Sequence, residues 1–197
     1  MTAAVEGRFT DWRQAWQPMI DAVGRDFGPP DVVWGADSVE RGSIRRYLEP
    51  LEFDCPLHHD DEIACRHGHG TIVPPVTSLM MFAAPAIWSP GDPPVFDQPE
   101  RDAQPRGTTG RPADTGLEPP YSGYFATDLE LEFAAPVRLG DRLGRRGRRL
   151  TGCTPKETSV GRGAFVSWET DIVNQDELTV AVSRYTLFLY TPRGEPR

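Results

Sequence analysis

Two long apolar runs near the end of the chain limit the fold more than any other feature. They span residues 163–174 and 178–190, and both are rich in the β-branched and aromatic residues that favour strands. The connecting residues, Asn174 to Glu177, are polar and few, as in a β-hairpin. The sequence therefore predicts an antiparallel pair of long strands in the last third of the chain.

Two further segments extend this prediction to a sheet. Residues 128–133, DLELEF, alternate apolar and acidic side chains, which is typical of a strand with one face in water. Residues 137–141 predict a turn that leads into another strand. The complete set of expected strands covers residues 125–133, 143–153, 164–173 and 178–190.

The first part of the chain has helical periodicity instead. Trp12, Trp16, Met19 and Val23 recur at spacings of three and four, and Thr10 is placed to cap this helix. Residues 32–34 form a short extended segment. Residues 38–51 predict a second helix, and residues 60–66 add one or two helical turns. Helices followed by an antiparallel meander indicate an α+β fold.

Residues 77–88 form the most apolar stretch of the chain. They predict a helix capped by Thr77, with apolar side chains around nearly its whole circumference, so we expect it to be buried on most sides. About twelve residues are too few to span a membrane, which takes about 20. The prediction is a central apolar helix enclosed by the sheet.

Residues 89–122 are rich in Pro and Gly and predict a long loop, which in a compact domain often forms a lid or part of a binding site. A chain of 197 residues accommodates one sizeable domain. We expect an N-terminal helical extension over residues 1–29, the main domain over residues 30–192, and a short tail over residues 193–197.

Composition narrows the function. The net charge of −8 argues against nucleic-acid binding, which needs a basic surface. Cys55, Cys65 and Cys153 are widely spaced without a CxxC pair, which favours reduced thiols over a disulfide framework or a zinc site. The first residues lack the apolar centre of a signal peptide. These features predict a soluble, cytoplasmic protein without a membrane partner.

Several short motifs occur in the order known from one enzyme family. Within residues 44–76, Pro56-Leu57-His58 is followed by Asp60, and further on the chain carries PVRLGDRL over residues 136–143, then Pro155-Lys156-Glu157-Thr158 and Asn174-Gln175. This series resembles the MaoC-like hydratases, and especially their FAS1-like dehydratase branch, over roughly residues 30–192. The resemblance implies a hotdog fold, in which a curved antiparallel sheet wraps around one helix. It also implies an acyl-thioester substrate held between two paired hotdog domains.

In that family an Asp and a His five residues later activate the water that adds to the enoyl thioester. A backbone N–H at the start of the central helix stabilises the thioester oxygen. His58 matches the family's His, but Phe53 stands where the family has Asp. Asp54, one residue away, could replace that acid only if the loop were remodelled.

The oxyanion position also departs from the family. Pro74-Pro75 stands where the family has His-Gly, and proline carries no N–H. The first donors there are Val76 and Thr77, which together with Gly70 are the predicted substrate-binding residues. The two prolines have two interpretations. They either merely start the helix, or they show that this domain of the pair no longer builds an oxyanion hole.

Other polar residues have two interpretations each. His58 is either catalytic or an ordinary polar contact. Arg148 and Arg149, in the basic run 145–149, either bind the phosphates of coenzyme A or lie on a solvated strand face. The four histidines, His58, His59, His67 and His69, lack the spacing of a tetrahedral zinc site, so no metal is expected.

The resemblance therefore implies an acyl-CoA-binding subunit of an enoyl-CoA hydratase whose Asp/His dyad lies mainly on a second MaoC-like hotdog subunit. Bulky enoyl-CoAs, such as steroid side-chain thioesters, are the expected substrates, and no cofactor is expected besides the coenzyme A of the substrate. One alternative is a self-sufficient homodimeric hydratase or a thioesterase that uses His58. Another is a non-catalytic acyl-binding scaffold.

Overall fold

The predicted strands form one five-stranded antiparallel sheet. The computed structural model describes residues 11–96, 99 and 115–193. The strands are β1 (Val33–Ser38), β2 (Gly123–Phe133), β3 (Arg142–Glu157), β4 (Gly161–Val173) and β5 (Thr179–Pro192). They are arranged in the order β1-β3-β4-β5-β2. The α+β fold and the bounds predicted for the four later strands are confirmed to within a few residues.

The sheet is bent where β3 carries extra residues. Its register with β4 shifts between Arg146 and Arg149 and again between Leu150 and Gly152. Such bulges increase the local twist and bend the strand. Gly147, inside the first bulge, has a φ of 70°, a conformation that glycine adopts without steric cost. A Cβ at this position would also lie 2.7 Å from Oδ2 of Asp26.

The segment before β1 packs on the sheet. A 3-10 turn (Gln14–Trp16) leads directly into α1 (Gln17–Asp21), which is shorter than the predicted helix. Trp16 and Met19 are buried against Leu150, Val166 and other sheet residues. The proposed Thr10 cap lies outside the described residues. The domain boundary at residue 29 stays a prediction.

Strand register places most core residues on one face of the sheet. Alternate residues of β4, from Ala164 to Ile172, are buried and face the same side. One end of this face packs against the segment before β1, forming a cluster that includes Trp16, Met19 and Trp168. The other end packs against α2 (Arg41–Leu48) and the short apolar helix that follows residue 78.

The central apolar helix is much shorter than predicted. The expected helix of residues 77–88 is reduced to a 3-10 turn (Val76–Ser78) and one helical turn, α4 (Leu79–Phe82). Leu79, Phe82 and Ala83 are buried in the core, but Ile87 and Trp88 are exposed. Pro85 explains the early end, because proline disfavours the helical conformation in the residue before it. The predicted Thr77 cap is also wrong, since no side chain caps this turn.

The remaining helical elements match the sequence more closely. The predicted helix over residues 38–51 is α2 followed by a 3-10 turn (Glu49–Leu51). A further 3-10 turn (Pro56–His58) precedes α3 (Asp61–Arg66), where one or two turns were expected. None of the helices in the described part of the chain has the length and hydropathy needed to cross a membrane.

Candidate functional site

The motif around His58 and the proline pair at residues 74–75 lie between α2 and α4, whereas the later motifs lie at the two ends of β3 and directly after β4. The Asp60 side chain caps α3, because its Oδ1 accepts a hydrogen bond of 3.0 Å from the Ile63 N–H. Gly68, with a φ of 87°, turns the chain back after α3. Glycine adopts this left-handed conformation without steric cost, and the chain continues from here to the segment before α4.

Asp61 holds this loop together. Its carboxylate accepts hydrogen bonds from Arg41 (2.7 Å), from the Thr71 hydroxyl (2.6 Å) and from the Ile72 N–H (3.0 Å). The hydrogen bonds from Arg41, Thr71 and Ile72 favour the ionised form and lower the pKa of Asp61 to about 2. One carboxylate therefore ties α2, α3 and the segment at residues 71–72 to one another.

His58 lies half-buried at the end of the 3-10 turn before α3. Its Nδ1 lies 2.7 Å from the carbonyl oxygen of Val73. A carbonyl oxygen only accepts hydrogen bonds, so Nδ1 must be the protonated donor. In the neutral ring the Nε2 atom is then left as an acceptor, as a general base requires.

The side chain beside His58 is aromatic rather than acidic. The rings of Phe53 and His58 have centroids 5.6 Å apart, and the Phe53 carbonyl oxygen lies 3.0 Å from Nε2 of His59. Asp54 is exposed, and its carboxylate makes no hydrogen bond or ion pair with a described residue. The structure therefore brings Phe53, and not Asp54, to His58. A catalytic role for Asp54 stays a prediction.

The predicted oxyanion donors lie at the start of the shortened helix. Pro74 and Pro75 are buried, whereas Val76 is 59% exposed. Neither Val76 nor Thr77 donates its N–H to a backbone carbonyl of the described chain. Gly70 is exposed, and its carbonyl oxygen accepts a 3.5 Å hydrogen bond from the Cys65 thiol. Substrate binding by Gly70, Val76 and Thr77 stays a prediction.

The two arginines proposed for coenzyme A phosphates have different surroundings. Arg148 lies over the ring of Trp168, 4.4 Å from its centroid, on the face that carries the core. Arg149 forms an ion pair with Glu169, which β4 presents on the opposite face. Because these adjacent residues lie on opposite faces, one phosphate chain cannot easily contact both. Their proposed role stays a prediction.

Other reactive groups among the described residues form no second cluster. The three cysteines form no disulfide, and burial raises the pKa of Cys153 to about 12, so that its thiol is protonated at neutral pH. In residues 11–96, 99 and 115–193, no group of three His, Cys, Asp or Glu side chains is arranged to hold a metal ion.

A cavity of about 530 Å³ lies between β1, α2 with its following turn, and the end of α4. His58 is not among the residues that line it. Sequence reasoning missed both this cavity and the Asp61 contacts. The helix predicted over residues 38–51 includes Ser43, Arg46 and Tyr47, which line the cavity, and Asp61 was predicted only as a helical residue. What each side chain faces depends on contacts between distant segments.

The sequence is similar to known proteins along most of its length. A profile of the family described as "FAS1-like, dehydratase domain region" matches residues 22–183. The chain is 27% identical over 180 residues to a "Probable enoyl-CoA hydratase alpha subunit" from Thermomonospora curvata, covering 91% of this chain. It spans about half the length of that relative, 51%.

Solved structures show the same architecture. A chain of the ChsH1-ChsH2 complex from Mycobacterium tuberculosis superimposes with a TM-score of 0.67 at 21% identity, covering 93% of this chain and 98% of that one. A MaoC-like dehydratase superimposes with a TM-score of 0.56 at 17% identity, covering 86% of this chain and 42% of that one. At these identities the likeness shows the fold alone, and it confirms the predicted hotdog fold.

Proposed function

Because the chain belongs to the FAS1-like dehydratase domains of the MaoC-like family, we propose that it is the acyl-CoA-binding subunit of a heteromeric enoyl-CoA hydratase. In this proposal the catalytic Asp/His dyad lies mainly on a partner subunit. One observation carries the proposal: the side chain beside His58, at the position of the family's acid, is Phe53. A phenyl ring neither accepts a proton nor holds water.

The chemistry explains why this substitution matters. Hydration of an enoyl thioester needs a base for the water, an acid for the α-carbon, and donors for the thioester oxygen. His58 retains an acceptor nitrogen, but no described carboxylate contacts its ring. A lone imidazole leaves the attacking water without the second group that positions it. This half of the site is therefore incomplete.

The start of α4 supports the same conclusion. In the family, a glycine N–H and the dipole of the central helix stabilise the thioester oxygen. Here two buried prolines precede the helix, and α4 is only four residues long. The partial charge at a helix N-terminus comes from aligned peptide dipoles, so one helical turn supplies less than three turns would.

The outer edge of β2 supports a partner. This strand is eleven residues long, and Tyr124, Leu129 and Phe133 on it are exposed. Long apolar edge strands associate with other strands unless they are covered. Asp128 is exposed on this strand, and Glu130 and Glu132 share a single arginine, Arg184, so the edge keeps an acidic excess. Like charges placed opposite one another are destabilising. A different subunit with a more basic edge therefore fits better than a second copy of this chain.

For the substrate, we propose a bulky enoyl-CoA, such as a steroid side-chain thioester, with no further cofactor. The short α4 supports this proposal. A helix over all of residues 77–88 would fill more of the space next to the sheet than one helical turn does. Residues 97–98 and 100–114 of the predicted loop lie outside the described residues. A binding role for that loop stays a prediction.

The test compares the chain alone with the chain co-expressed with MaoC-like proteins encoded beside its gene. Hydration is followed by the loss of the ultraviolet absorbance of the enoyl double bond conjugated with the thioester. We expect the isolated chain to be nearly inactive, and the complex to be faster by about 10²–10⁴-fold, the usual contribution of general acid–base catalysis. Changing the partner's dyad Asp to Ala should abolish this gain.

His58→Ala in this chain provides the comparison. If the partner carries the proton transfers, this change should lower the rate of the complex by less than about tenfold. An equally large loss from His58→Ala and from the partner's Asp-to-Ala change would contradict the division of labour. A complex that binds acyl-CoA without hydrating it would indicate a scaffold instead.

A self-sufficient homodimeric hydratase is the second candidate, favoured by the bond between His58 and Val73 that leaves Nε2 as a base. It predicts that the isolated chain turns over enoyl-CoA and that His58→Gln removes this activity. Asp54→Asn should then also be damaging, since Asp54 is the nearest acid in sequence. Inactivity of the isolated chain would exclude this candidate.

A further inference from the structure

The cavity beside β1 has a volume that is usual for a small-molecule site. Its volume of about 530 Å³ falls within the range of about 300–1,000 Å³ that is usual for such sites. Apolar groups form most of its wall: Pro50 and Leu51 after α2, Met81 and Phe82 in α4, and two alanines, Ala36 and Ala84. These side chains provide an apolar surface that a hydrocarbon group would cover.

Polar groups are set around this apolar wall. They are Asp37 and Ser38 on β1, and Ser43, Arg46 and Tyr47 on α2. None of these side chains makes a hydrogen bond or ion pair with another residue of the described chain. The neighbouring Arg45 differs, because it is paired with Glu49 one helical turn away. Arg46 therefore offers an unpaired guanidinium at an apolar cavity.

We propose that this cavity binds an apolar carboxylic acid, with its hydrocarbon part against Met81, Phe82 and Leu51 and its carboxylate on Arg46. The planar guanidinium presents paired N–H groups that match the two oxygens of a carboxylate. The hydroxyls of Ser43 and Tyr47 add uncharged donors on the same helix. This inference does not depend on the hydration chemistry proposed above.

Asp37 gives the site a charge asymmetry. It lies on β1 while Arg46 lies on α2, so the two opposite charges are on different walls of the cavity, and they form no ion pair. A carboxylate ligand gains from Arg46 and is repelled by Asp37. The two residues should therefore affect its affinity in opposite directions.

The experiment uses the full 197-residue chain labelled with ¹³C in its methionine methyl groups. Met81 lines the cavity, while Met19 is completely buried in the other core cluster and serves as the internal control. Decanoate is added below its micelle concentration, and decanol is the uncharged probe. We expect decanoate to shift the Met81 methyl signal with saturation, to leave the Met19 signal unchanged, and to bind more tightly than decanol.

Charge variants test the carboxylate contact. Arg46→Gln should weaken decanoate binding about fivefold, the upper range for one exposed ion pair, and should leave decanol binding unchanged. Arg45→Gln is the matched control and should have no effect on either probe. Asp37→Asn should strengthen decanoate binding.

The cavity itself is tested with Ala36→Trp, which places a large ring among the lining residues at an exposed position of β1. This variant should lose both probes while its unfolding curve stays that of the wild type. Binding that survives Ala36→Trp, equal effects of the Arg45 and Arg46 changes, or shifts at Met19 as large as those at Met81 would each overturn the proposal.

Discussion

The two edge strands of the sheet, β1 and β2, differ in whether another segment of the chain covers their outer side. On the β1 side, the chain after α4 lies against the strand: the Ala36 N–H donates a 3.0 Å hydrogen bond to the Ala84 carbonyl oxygen. A Cβ on Gly35 would lie only 2.0 Å from the Phe82 carbonyl oxygen, so backbone approaches backbone there. On the β2 side, no backbone hydrogen bond of the described chain lies beyond the pairing with β5.

This difference indicates where the molecule can associate. A covered edge has its backbone groups satisfied within the chain, whereas an open edge presents a row of free donors and acceptors. β2 also exposes apolar side chains on both of its faces, including Phe125 beside Phe188 and Leu129 beside Tyr185. The closed edge should therefore determine the stability of the chain, and the open edge its association.

The largest expected effect is at the closed edge. Gly35→Ala places a methyl group against the Phe82 carbonyl, and backbone cannot move aside as a flexible side chain can. We expect the free energy of unfolding in urea to fall by about 3 kcal/mol. Gly42→Ala in α2 is the control, because a Cβ there meets nothing, and it should be neutral or stabilise by up to about 1 kcal/mol. Equal effects would mean that this edge is not closed.

At the open edge the effect should be on association. Leu129 is 64% exposed, so Leu129→Lys should change the free energy of unfolding by less than about 0.5 kcal/mol. It should weaken binding to the proposed partner subunit about 30-fold, as expected for a central interface residue, measured by titration calorimetry. Val160→Lys, at the turn between β3 and β4, is the control and should leave the affinity unchanged. A stable complex with Leu129→Lys would place the interface elsewhere.

The open edge was partly predictable from the sequence, and the closed edge was not. Alternation along residues 128–133 and the β-branched runs of 163–174 and 178–190 are local patterns, and they gave strand bounds close to those observed. Closure of β1 depends on contact between Ala36 and Ala84, which are distant in the chain. An apolar run such as residues 77–88 indicates burial but does not distinguish a long helix from one turn followed by irregular chain.

The candidate site also combines features that residue identity predicts with features that depend on contacts between distant segments. The motif order located His58 and showed Phe53 at the position of the family's acid, because both follow from residue identity alone. The bond from His58 to Val73, the contacts of Asp61, and the cavity next to Arg46 arise only after α2, α3 and α4 have packed. No local pattern in the sequence encodes which loop carbonyl or which carboxylate will be in reach.

A smaller effect is expected on the face of the sheet opposite the core, where charges link its middle to the open edge. Glu169 accepts hydrogen bonds from Arg184 (2.8 Å) and from Arg149, and Arg184 also binds Glu132 on β2. Glu169→Gln leaves both arginines without this partner and should lower the free energy of unfolding by about 1 kcal/mol. Glu130→Gln, at an exposed residue 3.6 Å from Arg184, is the control and should change it by less than about 0.5 kcal/mol. Equal losses would show that the network adds nothing beyond single pairs.

The smallest effect concerns acid stability at α2, whose Arg41 binds Asp61 and whose other residues line the cavity next to the closed edge. The folded-state pKa of Asp61 is about 2, below its ordinary value of 3.8, because Arg41, Thr71 and Ile72 donate to the ionised form. A lowered pKa means that this stabilisation is present above about pH 4 and is lost as the pH falls towards 2. Asp61→Asn should therefore lower the free energy of unfolding at pH 5 and converge with the wild type near pH 2, measured by urea unfolding at each pH.

Asp31→Asn, which removes a carboxylate without partners among the described residues, should run parallel to the wild type throughout. If the Asp61 variant also ran parallel, the carboxylate would not stabilise the loop that carries His58.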